Sequence, residues 1–188
     1  MYIIIMLTIL FTGMNTIHYE GKAASTVSMK CGKHLKAQTL AQLIRSHPKQ
    51  QRKSLRCSAK LSKLALMKAK EMAKRKKISH ILPIGPNQSL RDHGYPLADI
   101  YPGVSDNQVE AIAGGISDPK EMMKGFLDSS AHRIHLLAQD KFYQLQDELG
   151  VGYHYDASTP HIHYWVVYIA HQNKDQDRHT KVPESKPN

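Results

Sequence analysis

The sequence predicts an α+β fold in which helices cover a small antiparallel sheet. Apolar residues recur at helical spacing in the first half of the chain. Two runs typical of strands, residues 149–156 and 162–170, come near its end, joined as in a hairpin with a longer loop. Because the helices precede the strands instead of alternating with them, an α+β sandwich is favoured.

The first two helices follow from the spacing of apolar residues. A helix fits residues 38–47, and Pro48 ends it because proline interrupts helical hydrogen bonding. The second helix closes near Lys77 and is the clearest element of the chain. Its apolar face comprises Leu61, Leu64, Ala65, Ala69 and Met72.

A long segment, residues 78–115, shows little periodicity and much Pro and Gly, so we expect a functional loop. The next helix begins at Asp118, where an N-capping Asp precedes Pro119 and Glu121 follows three residues later. A short helical turn, residues 132–137, should lead into the strands.

The 188 residues, with 41% hydrophobic residues, suit one domain with tails. We expect the domain over residues 38–171, after a polar arm over 25–37. The polar residues 172–188, which include two prolines, predict a disordered tail.

The apolar run from Tyr2 to Phe11 is too short to span a bilayer and predicts a signal peptide over residues 1–24. An apolar N-terminal helix or a misassigned start codon is the alternative. The sequence therefore favours a protein that is secreted or resides in the cell envelope or periplasm, without a transmembrane helix. In such a protein Cys31 and Cys57 are expected to form a disulfide, the alternative being two free thiols.

Positive charge is concentrated in one segment. Residues 30–77 contain 16 of the 26 Lys and Arg residues, and Glu71 is their only acid. This predicts a basic face for anionic lipid or an envelope polyanion, or else a merely solvated helix face. Specific nucleic-acid binding is not expected, because the segment has no aromatic residue on which a base could stack.

Three polar residues at the edges of predicted elements are the candidate site: His80, Glu110 and His132. Two imidazoles and a carboxylate suit a zinc-type ion or proton transfer in a cleft. If the protein is an enzyme, these three are also the catalytic candidates. His135 lies one helical turn after His132 and is a candidate extra ligand, although a hydrogen-bonded surface histidine is the alternative.

The runs around these residues, Ile-Ser-His at 78–80, Val-Glu-Ala-Ile-Ala-Gly at 109–114 and Ser-Ser-Ala-His-Arg at 129–133, resemble motifs of the CAP superfamily. This superfamily comprises cysteine-rich secretory, antigen 5 and pathogenesis-related 1 proteins, and the likeness is to its bacterial SCP-like branch. It implies a three-layer α-β-α sandwich over residues 38–170. It also implies that His80, Glu110 and His132 converge on one cleft, which in some members holds zinc. Ser129 stands where animal members carry a second glutamate.

Two functions are compatible with these observations. The first is an exported, non-catalytic module that binds a ligand or partner at the envelope and has a candidate cleft for zinc or another divalent cation. The alternative is a metal-assisted hydrolase of peptides or envelope polymers, although Ser129 and Ser130 lie outside any nucleophile-elbow pattern. Without metal, the three residues would form a hydrogen-bonded cluster.

Overall fold

The computed structural model describes residues 31–103 and 106–173. The predicted signal peptide, the first part of the arm and the tail from residue 174 lie outside the described residues. Within the described ranges the helices are α1 Leu35–Arg45, α2 Ala59–Lys74, α3 Pro86–Asp92, α4 Pro119–Asp128, α5 Ser130–Leu137 and α6 Lys141–Gln144. The strands are β1 Arg56–Cys57, β2 Glu110–Gly114, β3 Glu148–Tyr155 and β4 His163–Ala170. None of these helices is long and apolar enough to cross a membrane.

The four strands form one sheet in the order β1-β3-β4-β2. Strands β2, β4 and β3 are antiparallel, as predicted, but β1 pairs in parallel with β3, so the sheet is mixed. The small antiparallel sheet was predicted, but its parallel edge strand was not. Strand β1 has two residues, and a strand this short has no alternation by which a sequence could reveal it.

Helices cover both faces of the sheet, which confirms the three-layer α-β-α sandwich. Side chains alternate across β4 because successive residues of a strand point to opposite faces. Trp165 and Val167 pack into the core formed with α1, α4 and α5, whereas Val166 and Tyr168 pack into the core formed with α2 and α3. Strand β2, which carries Glu110, lies at the edge of the sheet next to β4.

Helix α2 lies unusually close to β3. A Cβ atom added to Gly150 would lie 2.2 Å from the backbone nitrogen of Ser62, and one added to Gly152 would lie 2.2 Å from the carbonyl carbon of Ala65. No side chain fits in that space, so two glycines on one face of the strand let the helix backbone pack directly on the sheet.

The predicted arm, residues 25–37, is structured in its described part. Cys31 is buried, its carbonyl accepts a hydrogen bond from the backbone N–H of Val151, and its sulfur is bonded to Cys57. Helix α1 begins at Leu35, three residues before the predicted start. The imidazole of His34 caps it by accepting from the N–H of Lys36 at 3.1 Å, and histidine is not among the usual capping residues.

The prediction of a loop over residues 78–115 is wrong for part of that segment. The segment 78–115 contains helix α3 and strand β2, which are too short to show a periodic pattern. At the start of the predicted disordered tail, Gln172 donates to the carboxylate of Glu148 at 2.8 Å, and the N–H of Asn173 donates to the carbonyl of Pro96. By contrast, Asp118 caps α4 as predicted, accepting from the N–H groups of residues 120 and 121.

Candidate functional site

The centre of the site is a contact between His80 and Glu110. Glu110 is the first residue of β2, and its side chain is completely buried. One carboxylate oxygen, Oε1, lies 2.8 Å from Nδ1 of His80. The His80 side chain remains 40% exposed, so its ring lies between the buried carboxylate and solvent. The structure thus brings together two of the three residues that the sequence nominated.

Lys68 of α2 completes the surroundings of Glu110. Its Nζ lies 3.8 Å from the second carboxylate oxygen, Oε2, and donates a hydrogen bond to the backbone carbonyl of His80. Burial lowers the pKa of Lys68, and the Glu110 carboxylate opposes this shift. The ammonium group therefore balances the buried negative charge and fastens the His80 segment to α2.

Tyr168 contacts the carboxylate of Glu110 from the strand side, and Asn107 holds the backbone of Glu110. Tyr168 is the partner of Glu110 in the β2–β4 register, and burial together with that carboxylate raises its pKa well above the ordinary value. Asn107 accepts a hydrogen bond from the backbone N–H of Glu110 and donates one to its carbonyl, both at 2.9 Å. These contacts hold Glu110 in one orientation.

This arrangement determines how His80 is presented. A carboxylate only accepts hydrogen bonds, so Nδ1 carries the proton donated to Glu110. The Asn107 amide nitrogen, 3.0 Å from the same Nδ1, cannot donate to it at the same time. In the neutral ring Nε2 is then unprotonated and is the nitrogen free to bind a ligand.

His132 approaches the same edge of the sheet from α5. Its half-buried ring packs edge to face on Phe126, with the ring centres 5.1 Å apart. Burial lowers the pKa of His132, and the nearby His80 lowers it further. The ring is therefore a neutral imidazole at neutral pH and close enough to His80 for the two to interact electrostatically.

His135 lies apart from this cluster, in the core. Burial, together with the neighbouring Arg52 and His132, lowers its pKa to about 3. Its ring contacts that of Tyr143, and Arg52 donates a hydrogen bond to its backbone carbonyl at 2.8 Å. The positive charge of the neighbouring Arg52 disfavours a metal cation there, so we do not include His135 among the ligands.

The donor atoms determine what the cluster can hold. No group of three or more His, Cys, Asp or Glu side chains within residues 31–103 and 106–173 is arranged to hold a metal ion. The imidazole nitrogens of His80 and His132 are the remaining candidate donors of this site. Glu110 accepts a hydrogen bond from the ring of His80, as carboxylates do from the histidine ligands of many metal sites.

Sequence reasoning missed Lys68, Asn107 and Tyr168. Lys68 falls on the apolar stripe of α2, four residues from Leu64 and from Met72, so the helical spacing could have indicated its burial. Asn107 precedes β2 in a segment without periodicity, and nothing in the sequence indicates its contacts.

The three-layer fold and the pairing of His80 with Glu110 at a sheet edge define a CAP-type domain. Residues 42–169 match the cysteine-rich secretory protein family, CAP, and this chain belongs to that family. Among solved structures it is similar to an outer surface protein from Borrelia burgdorferi. The two share 18% sequence identity with a TM-score of 0.54, over 72% of this chain and 90% of the other. No curated protein sequence matches the chain.

Proposed function

We propose that the protein is an exported CAP module that binds a ligand or partner and is not a catalyst. The observation that carries this proposal is the placement of Glu110. Its side chain has no exposed surface, and both carboxylate oxygens face side chains of the protein, His80 and Lys68. A carboxylate in this position orients an imidazole and does not reach a substrate.

Export is supported by three features. The sequence begins with the apolar run of residues 2–11, which is typical of a signal peptide. Both cysteines are joined in a disulfide, and disulfides persist in oxidising compartments outside the cytosol. The family is named for secreted proteins, and the similar Borrelia protein is described as an outer surface protein. We propose the envelope or the extracellular space as the location.

Within this function, His80 and His132 form a weak site for zinc or another divalent cation. His80 would bind through Nε2, with Glu110 holding the ring and its tautomer, and His132 would bind as a neutral imidazole. A cation bound there supplies Lewis acidity and lowers the pKa of a bound water. With only two protein side chains bound, such a cation would have coordination positions left for water or for a bound molecule. That molecule would then attach to the protein through the cation.

Zinc titration calorimetry of protein freed of metal by chelation tests this site. We expect His80→Ala and His132→Ala each to abolish uptake, because each removes one of two ligands. Glu110→Gln should weaken zinc binding by about 10- to 100-fold, the usual effect of losing a carboxylate behind a ligand. His93→Ala, an exposed histidine outside the cluster, should bind as the unaltered protein does. Absence of uptake by the unaltered protein would instead identify a hydrogen-bonded structural cluster.

A second candidate, a metal-assisted hydrolase of peptides or envelope polymers, is favoured by one observation. The contact of Glu110 with Nδ1 of His80 leaves an imidazole oriented by a carboxylate, as in many general bases. This function requires metal-dependent cleavage that is lost in Glu110→Gln. If the protein binds zinc but cleaves neither peptides nor envelope polymers, the binding module is retained and the hydrolase is excluded.

A further inference from the structure

A cavity of about 230 Å³ lies between α2 and the segment that follows His80. Leu64 and Met67 of α2 form one apolar wall, and Leu82 and Pro83 form the other. Lys68 and Tyr168, which also surround Glu110, line it as well. The cavity therefore borders the His80–Glu110 cluster while presenting mainly apolar surface to an occupant.

The charged groups of this cavity already have partners. Lys68 faces the carboxylate of Glu110, and Glu71 at the wall accepts a hydrogen bond from Arg75 at 2.5 Å. An ion entering the cavity would have to lose its hydration without gaining an unpaired charge of opposite sign. An uncharged ligand has no such cost, and the apolar walls favour a ligand that is mainly hydrocarbon.

The volume of the cavity limits the size of the ligand. An engineered apolar cavity of about 150 Å³ holds benzene, so a cavity of about 230 Å³ suits a bicyclic aromatic ring or an aliphatic group of similar size. The hydrogen-bonding side chains that line it are Lys68 and Glu71 of α2, Ser89 and His93 at α3, and Tyr168 of β4. Among the lining residues, Met67 is 42% exposed, so the cavity is open to solvent on that side.

We propose that this cavity binds a small, uncharged, mainly apolar ligand of the size of a bicyclic ring. The ligand directs one hydroxyl or carbonyl group toward Lys68 and Tyr168. This site goes beyond the metal cleft of the proposed function, because none of its contacts requires a metal. Its position gives the protein a binding function that persists if zinc binding fails.

The test uses 2-naphthol as the probe and full-length protein freed of metal by chelation, so that the result does not depend on the zinc site. Binding is measured by isothermal titration, and its location by amide shift changes in NMR spectra. Two variants fill the cavity from opposite walls, Met67→Trp on α2 and Ser89→Trp on α3. The matched control is Lys74→Trp, two helical turns beyond Met67 on the exposed face of α2.

We expect the unaltered protein to bind 2-naphthol saturably, with amide shift changes at residues 64–71 and 82–93. Both filled variants should lose about tenfold or more in affinity, which corresponds to about 1.4 kcal/mol or more. The control should bind within about twofold of the unaltered protein. Circular dichroism spectra of the variants establish that they are folded before they are compared. The proposal is overturned if no saturable binding occurs up to millimolar 2-naphthol, if the shifts map to another face, or if both folded filled variants bind normally.

Discussion

At the scale of single residues, the burial of Glu110 is the decisive feature. The sequence nominated this residue together with His80 and His132, but it could not distinguish a direct metal ligand from a residue that orients one. That distinction depends on Lys68, whose ammonium group balances the carboxylate inside the protein. Lysine is almost never fully buried unless it is paired. Residue type alone therefore predicts an exposed Lys68, although the apolar spacing of α2 places it in the core.

The buried His135 gives a prediction about pH. Its pKa is about 3 in the folded protein and about 6.5 in an unfolded chain, so the unfolded chain takes up the proton first as the pH falls. The contribution of His135 to the free energy of unfolding should therefore be fully present above about pH 6.5 and decline toward pH 3. One such group contributes a loss of about 2 kcal/mol between pH 7 and pH 5. The lowered pKa of His132 acts in the same direction.

Urea unfolding of metal-free protein at the two pH values measures this loss. The His135→Gln variant removes the titrating group while keeping a polar side chain, so its loss of stability between pH 7 and pH 5 should be smaller by about 2 kcal/mol. His154→Gln is the control, because that half-exposed histidine also has a lowered pKa but lies on β3, outside this core. An equal pH dependence in the unaltered protein and in His135→Gln would contradict the assignment.

At the scale of elements, the longer helices and the β3–β4 hairpin could be predicted, because each repeats its pattern over eight or more residues. The predicted strands 149–156 and 162–170 match β3 and β4 to within one residue at each end. The elements that were missed, α3, α6, β1 and β2, are all short and lack a periodic pattern of their own. Strand β2 carries Glu110. The sequence could therefore nominate the residues of the site but not their arrangement in space.

The close packing of α2 on β3 predicts the effect of adding one methyl group. Gly150→Ala and Gly152→Ala place a Cβ at 2.2 Å from the helix backbone, and the helix must shift because backbone atoms cannot rotate away. We expect each substitution to lower the free energy of unfolding by about 1–3 kcal/mol or more. Gly103→Ala is the control, since an added Cβ there meets nothing within 4 Å. Urea unfolding decides the comparison, and equal stability of all three variants would contradict the packing described.

At the scale of the whole molecule, the concentrated positive charge becomes a surface feature. Lysines recur at steps of three, seven and four residues along the exposed face of α2, forming a basic stripe of Lys60, Lys63, Lys70 and Lys74. The sequence predicted the charge and its segment, and the helix places these four side chains in one line. We propose anionic lipid or an envelope polyanion as the partner of this stripe.

Vesicles containing anionic phospholipid test the basic stripe. Binding should weaken steeply as salt rises, because exposed charges are screened over about 8 Å at physiological ionic strength. Replacing all four lysines of the stripe by glutamine should weaken binding more than replacing four exposed lysines elsewhere, a control of equal net charge. The control set is Lys49, Lys53, Lys120 and Lys141. Equal effects of the two sets would show that only net charge matters, and binding that is insensitive to salt would exclude the stripe.

We propose that Glu110 orients His80 so that Nε2, together with His132, accepts a divalent cation. Nitrogen-15 NMR of the histidine rings measures this most directly, because the shifts report which nitrogen is protonated and which binds metal. We predict that His80 of zinc-free protein carries its proton on Nδ1. Added zinc should then shift Nε2 of His80 and one ring nitrogen of His132 while leaving His93 unchanged. A proton on Nε2 of His80, or rings of His80 and His132 that do not respond to saturating zinc, would contradict the account.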